Sequence, residues 1–249
     1  MKYFLSVLLM LSSGMAFADD FDAVEAKLKT AMGADIRTDA EKDRDRNRRP
    51  IATLKFFGLR DDMKIVELVP GGGWYTKLLA PVVQDNGEFY AALGTSRISE
   101  SLLTKEGFAD VQIIATDAKL YRKEGARLYT LETTGLGVTG MDMVLTFRNY
   151  HNFEDEGRAA MNKAAYDALK SGGVYAVVDH TRRHMEDDNS ANRRRIDPVS
   201  AIHEIQAAGF EFVDFSDLHF KPDDELRYEV GRKTVTGNTD RWTLKFVKP

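Results

Sequence analysis

Lys64-Ile65-Val66-Glu67-Leu68-Val69-Pro70-Gly71-Gly72-Gly73-Trp74-Tyr75 joins an apolar run to a helical pattern through three successive glycines. The run reads as a buried strand. Glycine admits positive φ and lets the backbone approach a ligand closely, and the first turn of the following helix offers free N–H groups to an anionic group. Three glycines after a strand also serve as a plain βα turn. Glu67, near the strand's carboxyl end, favours a ligand-facing loop, because an acid there either meets a polar ligand or must be satisfied by neighbouring amides.

Outward from the loop, apolar runs at residues 88–93, 111–116, 143–147 and 174–178 repeat the strand pattern. Helical periodicity over residues 74–83, 98–106 and 155–170 separates most of them. Near-continuous apolar strands alternating with helices predict an α/β protein whose parallel, doubly wound sheet is covered on both faces by right-handed crossovers. Asp197-Pro198 opens a helix to Ala208, Gly209 ends it, and residues 210–215 and 241–247 read as two closing strands joined by a long loop. Upstream, Phe21, Val24, Leu28 and Met32 recur at helical spacing before Gly33. Thr38-Asp39-Ala40-Glu41 reads as a capping box opening a polar helix to Arg49, and Pro50–Phe57 as a short helix ended by Gly58. Arg37, Arg44, Arg46, Arg48 and Arg49 are expected on the solvated face of the polar helix, an arginine reaching a substrate anion being the lesser reading. With no repeat and no break in composition, the expected organisation is a leader over residues 1–18, a helical N-terminal extension over 19–58 packed on the core, and one domain over 59–249.

Composition narrows the function classes. The 249 residues are 43% hydrophobic and 30% charged, with 19 Gly and 6 Pro, enough apolar surface for a real core. A net charge of −4 provides no global basic field for nucleic acid or an anionic membrane. The chain has no cysteine, which excludes disulfides, thiolate metal sites and a cysteine nucleophile. Lys2, the uncharged apolar run Tyr3–Met15 and Ala16-Phe17-Ala18 predict a signal peptide cleaved near Ala18, hence a periplasmic or secreted protein. That run falls short of the roughly 20 apolar residues that span a bilayer, and no later stretch reaches that length.

The glycine loop and its setting resemble the class I S-adenosylmethionine-dependent methyltransferases. In that Rossmann-like family the sheet is seven-stranded and mostly parallel, and the first strand ends in an acid followed by a Gly-x-Gly-x-Gly turn. Glu67 matches the acid, Gly71 and Gly73 match the second and third glycines, and Val69 stands in place of the first. The similarity is closer to a subset of predicted bacterial exported methyltransferases with a Pro-Gly-Gly-Gly-Trp-Tyr-Thr loop, here Pro70 to Thr76. There it extends to Arg148-Asn149-Tyr150-His151-Asn152, Val178-Asp179-His180 and the Gly237–Pro249 segment. The resemblance implies S-adenosylmethionine as cofactor, held by Glu67, Pro70, Gly71, Gly72, Gly73 and Asn149, with Asp117-Ala118 at the adenine. Where the family places an acid on the ribose hydroxyls, after the second strand, this chain has Ala91-Ala92-Leu93-Gly94.

Two polar clusters follow the fourth and fifth strands, where ligands of open α/β sheets bind. They make His151, Tyr150 and Asp179 the catalytic candidates. A histidine titrates near neutrality, so His151 suits a general base; capping the next helix or packing on Tyr150 is its other reading. Asp179 and His180 are adjacent in an extended chain and so point to opposite faces. His180 and His184 lack a third ligand at a recognisable spacing, and no metal is expected. No Gly-x-Ser-x-Gly elbow or Walker loop supports a hydrolase or nucleotide kinase. A dinucleotide oxidoreductase fits the fold class but not the glycine spacing. Two readings stand: methyl transfer to a small-molecule or protein acceptor, or an exported methyltransferase-fold binding protein that transfers nothing. The first leads, on Glu67, the glycine loop and the polar groups at strand carboxyl ends; Val69, the missing ribose acid and the conflict between export and a cytoplasmic cofactor favour the second.

Overall fold

A computed structural model describes residues 20–249, so the expected leader and its cleavage site lie outside the described residues. The apolar runs are strands because both of their faces are covered. In β1 (Lys64–Leu68), Ile65 enters one core while Val66 and Leu68 enter the other. The same alternation divides Met143 and Leu145 from Val144 in β6 (Met141–Phe147), and Ala176 and Val178 from Tyr175 and Val177 in β7 (Leu169–His180). The remaining strands are β2 (Glu88–Ala92), β3 (Gln112–Ile114), β8 (Glu211–Ser216) and β9 (Arg241–Val247), with a separate antiparallel hairpin of β4 (Lys119–Tyr121) and β5 (Thr130–Glu132).

The seven-stranded sheet runs in the order β3-β2-β1-β6-β7-β9-β8. Every neighbouring pair is parallel except those of β9, which is antiparallel to both β7 and β8. Strand order reverses between β1 and β6, which opens a crevice at their carboxyl ends. One face is covered by α1 (Asp20–Gly33), α4 (Pro50–Phe57), α5 (Thr76–Val83) and α6 (Ser96–Ser101) through Leu28, Phe57, Leu78 and Ile98. The other is covered by α7 (Asp155–Ala168) and α8 (Pro198–Ala207) through Met161 and Ile205. No helix among the described residues is long and apolar enough to cross a membrane.

Three local expectations are corrected. The polar helix to Arg49 is broken into α2 (Asp39–Lys42) and α3 (Asp45–Arg48), although its capping box between Thr38 and Glu41 is present. At the break the Glu41 carbonyl, which a continuous helix would give to residue 45, accepts instead from the Arg44 amide at 3.2 Å, from Trp74 Nε1 at 3.0 Å and from Arg37 Nη2 at 3.3 Å, so a tertiary partner joins a tightened turn. The solvated face expected for its arginines is likewise wrong for Arg37 and Arg48, which are buried. Finally, β7 begins directly after α7, five residues before Val174, and takes up the register shift opposite Met141 and Met143.

Candidate functional site

Each strand bordering the crevice leaves the sheet through one left-handed residue. Val69, Leu93, Ala115 and Arg148 directly follow β1, β2, β3 and β6, with φ of 53°, 62°, 52° and 60°. For a β-branched residue this conformation stores strain, of order 1–3 kcal/mol. Val69 is held there by its amide, which donates to the Ala92 carbonyl at 2.9 Å, and by its carbonyl, which accepts from Asn149 Nδ2 at 2.9 Å. The chain thus adopts a glycine-like conformation at the position where the motif has lost its glycine.

The two flanking glycines do different work. Gly73 has φ of 79°, and a Cβ there would lie 2.8 Å from Leu102 Cδ2, so its bareness lets the loop pack against the end of α6. Gly71 has φ of 59°, and a Cβ there would meet nothing within 4 Å. Its bare face leaves the backbone open to the crevice.

That face belongs to a cavity of about 460 Å³ lined by Glu67, Val69 to Gly72, Tyr75 and Asn149 of the sheet ends and by Glu41, Arg44 and Arg48 of the N-terminal segment. Glu67 is buried and accepts from Thr76 Oγ1 at 2.6 Å. Burial pushes its carboxyl up to about 7, against the opposing pull of Thr76 and the Arg48 guanidinium. Trp74 fastens the N-terminal segment over the loop: the guanidinium carbons of Arg37 and Arg48 lie 5.0 Å and 4.2 Å from its ring centroid. Arg37 is in turn gripped by both carboxylate oxygens of Asp45, and Lys77 Nζ reaches both oxygens of Glu41 at 2.9 Å.

A second cavity, of about 410 Å³, shares Arg44, Arg48 and Arg148 with the first and adds His151, His180 and Arg241. Beyond it, a third of about 410 Å³ again has His151 on its wall. His151 sits in a 3₁₀ turn (Tyr150–Asn152) fastened to the fully buried Asp179. Asp179 Oδ2 accepts from the His151 amide at 2.9 Å, and Oδ1 lies 2.5 Å from His151 Nδ1 and accepts from the His180 amide at 2.6 Å. With Nδ1 engaged, Nε2 is the nitrogen left to face the cavities. His180 Nδ1 lies 2.9 Å from Thr239 Oγ1, and burial beside Arg241 holds its pKa well below the usual value, so it is neutral.

The structure therefore brings Glu67, Pro70, Gly71, Gly72 and Asn149 together on one wall, and His151 and Asp179 together at the next. Four candidates stand apart. Gly73 faces Leu102 and Ile98 at α6 and does not line the glycine-loop cavity. Tyr150 is turned into the second core beside Trp242, its hydroxyl donating to Glu204 at 2.8 Å and accepting from Asn162 at 2.8 Å, which removes it from the catalytic group. Asp117 is exposed, accepting from Thr134 Oγ1 at 3.2 Å, and Ala118 packs against the second core; neither lines the glycine-loop cavity. Sequence reasoning gave Arg48 an anion contact only as its lesser reading, named Arg148 only within the polar cluster after the fourth strand, and missed Arg241. Spacing of i, i+4 puts Arg44 and Arg48 on one face, a usable signal, whereas Arg241 arrives only through its pairing with His180 across β7 and β9.

No protein-family model matches the chain, and no curated protein matches it. Its likeness is to solved structures. A SAM-dependent methyltransferase from Aquifex aeolicus superposes with a TM-score of 0.58 at 14% identity, over 90% of this chain and 98% of that one. The [4+2]-cyclase SpnF gives a TM-score of 0.54 at 15% identity, over 92% and 93%. A chain of the Haloferax volcanii complex between the Trm112 methyltransferase activator and the putative methyltransferase gives 0.53 at 14%, over 94% and 98%. At such identities the likeness shows the fold: a mostly parallel, Rossmann-like sheet of the methyltransferase type. One of the three proteins sharing it is described as a cyclase, so the fold alone selects no reaction.

Proposed function

We propose that the protein transfers a methyl group from S-adenosylmethionine to an acceptor held beside His151. The observation that carries this reading is the junction of two cavities: the one at the glycine loop shares Arg44, Arg48 and Arg148 with the one whose wall carries His151. The first suits the cofactor. Its volume of about 460 Å³ falls within the range of small-ligand sites, about 300–1,000 Å³. The open face of Gly71 admits a close approach to the backbone, and the buried Glu67 carboxyl, with Thr76 as its protein donor, is matched by an ammonium group.

When bound, the cofactor would supply an electrophilic methyl on its sulfonium, bonding to the acceptor's lone pair as the C–S bond breaks and its electron pair leaves with a neutral thioether. The chain's part is to position the acceptor and take its proton. Asp179 accepts from Nδ1–H of His151 and so fixes the tautomer whose Nε2 lone pair is free. Nε2 then receives the proton of an acceptor O–H or N–H, and the Asp179 carboxylate stabilises the imidazolium that results. Burial beside Arg241 opposes protonation of His180, which leaves His151 as the base on this wall.

Calorimetry with the purified protein tests the first half: S-adenosylmethionine should bind, and NAD should not. The second half needs an acceptor, found by screening methyl-labelled cofactor against periplasmic extract. His151→Ala should then lower turnover by about a hundred- to ten-thousand-fold with cofactor affinity unchanged; full activity would remove the base. Cofactor binding without methylation of any acceptor would instead favour the binding-protein alternative. The apolar leader and its Ala-Phe-Ala site support a periplasmic or secreted location. N-terminal sequencing after cell fractionation should begin at Asp19, and a cytoplasmic chain beginning at Met1 would overturn export.

A further inference from the structure

The cations around the crevice divide into two groups. Arg37 is paired with Asp45, Arg158 with Glu204, Arg194 with Glu229, and Arg195 with Asp224. Among the described residues Arg48, Arg148 and Arg241 form no ion pair, and all three line the cavity of about 410 Å³ beside His151. Arg48 is 6% exposed and Arg241 4%. The Nε atom of each of the three is buried without a hydrogen-bond partner. Arg241 Nη1 donates to the Asn47 carbonyl at 2.8 Å, whereas the guanidinium of Arg48 is backed by the faces of Trp74 and Tyr75 rather than by an acceptor. Of the buried carboxylates that act on the cluster, Asp179 is already committed to His151 and to the His180 amide, Asp240 accepts from the Lys221 amide, and Glu67 accepts from Thr76.

A buried charge without a partner costs several kcal/mol, and three of one sign also repel one another. The strain is visible in the acidities: burial and the neighbouring Arg148 draw Arg48 down to about 9 and Arg241 down to about 10. No carboxylate lines this cavity to relieve it. A folded chain that retains such a cluster on a cavity wall has a site preorganised for negative charge, since guanidinium forks match the oxygens of phosphate and carboxylate.

We propose that this cavity grips the acceptor by a multiply charged oxyanion group, a phosphate or paired carboxylates, seated against Arg48, Arg148 and Arg241. The proposal rests on the reading of the His151 cavity as the acceptor's, and it makes that acceptor a small anionic molecule rather than a neutral one. The anion fixes the acceptor's orientation, while its reacting O–H or N–H lies toward His151 and the glycine-loop cavity.

The test is calorimetric titration of the full chain with inorganic phosphate, with succinate as a dicarboxylate, and with chloride at matched ionic strength. The expected result is one site per chain for phosphate or succinate and none for chloride; the tighter of the two identifies the group. Arg148→Met should weaken that binding at least tenfold while leaving the thermal midpoint without anion unchanged or higher, because it removes a half-buried cation that has no ion-pair partner and a buried, unbonded Nε. Arg48→Met, titrated in the same way, provides an independent reading should Arg148→Met not fold. Absence of a saturable site, equal effects of chloride and phosphate, or undiminished binding in a folded variant would overturn the proposal. S-adenosylmethionine is titrated separately. If it binds and the oxyanions do not, the acceptor class is wrong and methyl transfer stands; if the oxyanions bind and it does not, the arginine cavity is an oxyanion site and methyl transfer is wrong.

Discussion

Glu67 holds its proton with a pKa of about 7 because burial outweighs both the Thr76 hydroxyl and the Arg48 charge. An ammonium group seated against it requires the carboxylate form, so binding draws the pKa down. Affinity for S-adenosylmethionine should therefore rise as pH climbs through about 7 and level off above it, falling by up to about tenfold per unit on the acid side. Titrations between about pH 5.5 and about pH 8.5 measure this, and Glu67→Gln should bind more weakly at the alkaline end and show no such rise. An acid near the end of an apolar run was legible without coordinates. So was the loss of a glycine at Val69, but not its outcome: bonds from Ala92 and Asn149 impose the left-handed conformation regardless of side chain. The choice between Tyr150 and His151 was illegible, because a single 3₁₀ turn directs neighbours to opposite sides and nothing local says which faces the core.

The segment from Thr38 to Arg49 is an element divided where an outside residue bonds it. Its propensity and its capping box are those of a helix, yet at the break the Glu41 carbonyl accepts from Trp74, from Arg37 and from the Arg44 amide. What results is a strap over the glycine loop, held by Arg37 on Asp45, by Lys77 on Glu41 and by two guanidiniums on Trp74. Arg37→Ala removes a buried charged anchor and should let the strap open locally more often than the core. Trypsin cleavage between Lys42 and Arg49 should then accelerate at least tenfold, about 1.4 kcal/mol of local stability, with little change in the global denaturant midpoint. The long apolar strands were legible as elements, since burial on both faces writes itself into consecutive residues. The β4–β5 hairpin was not: three-residue strands with a single buried side chain between them, Leu131, are too short to leave a periodic trace.

Across the whole molecule, seven strands and a doubly wound sheet follow from alternating patterns, but their order does not. The last strand in sequence, β9, lies inside the sheet, where Trp242 pairs with Asp179 and Arg241 with His180. A chain ending at Asp240 should therefore lose more than an edge: β8 is left without its partner, β7 gains an open flank, and Arg241 is gone. Such a chain should show no cooperative thermal transition and should bind a dye specific for exposed apolar surface, as loosely packed states do. The inserted strand also ties the cluster to closure of the sheet. Arg241 reaches the cavity wall only with Arg241–Val247 docked between β7 and β8, so the complete cluster of three guanidiniums exists only in the closed form. A matching anion that binds only the closed form would slow reopening and make the finished sheet kinetically persistent.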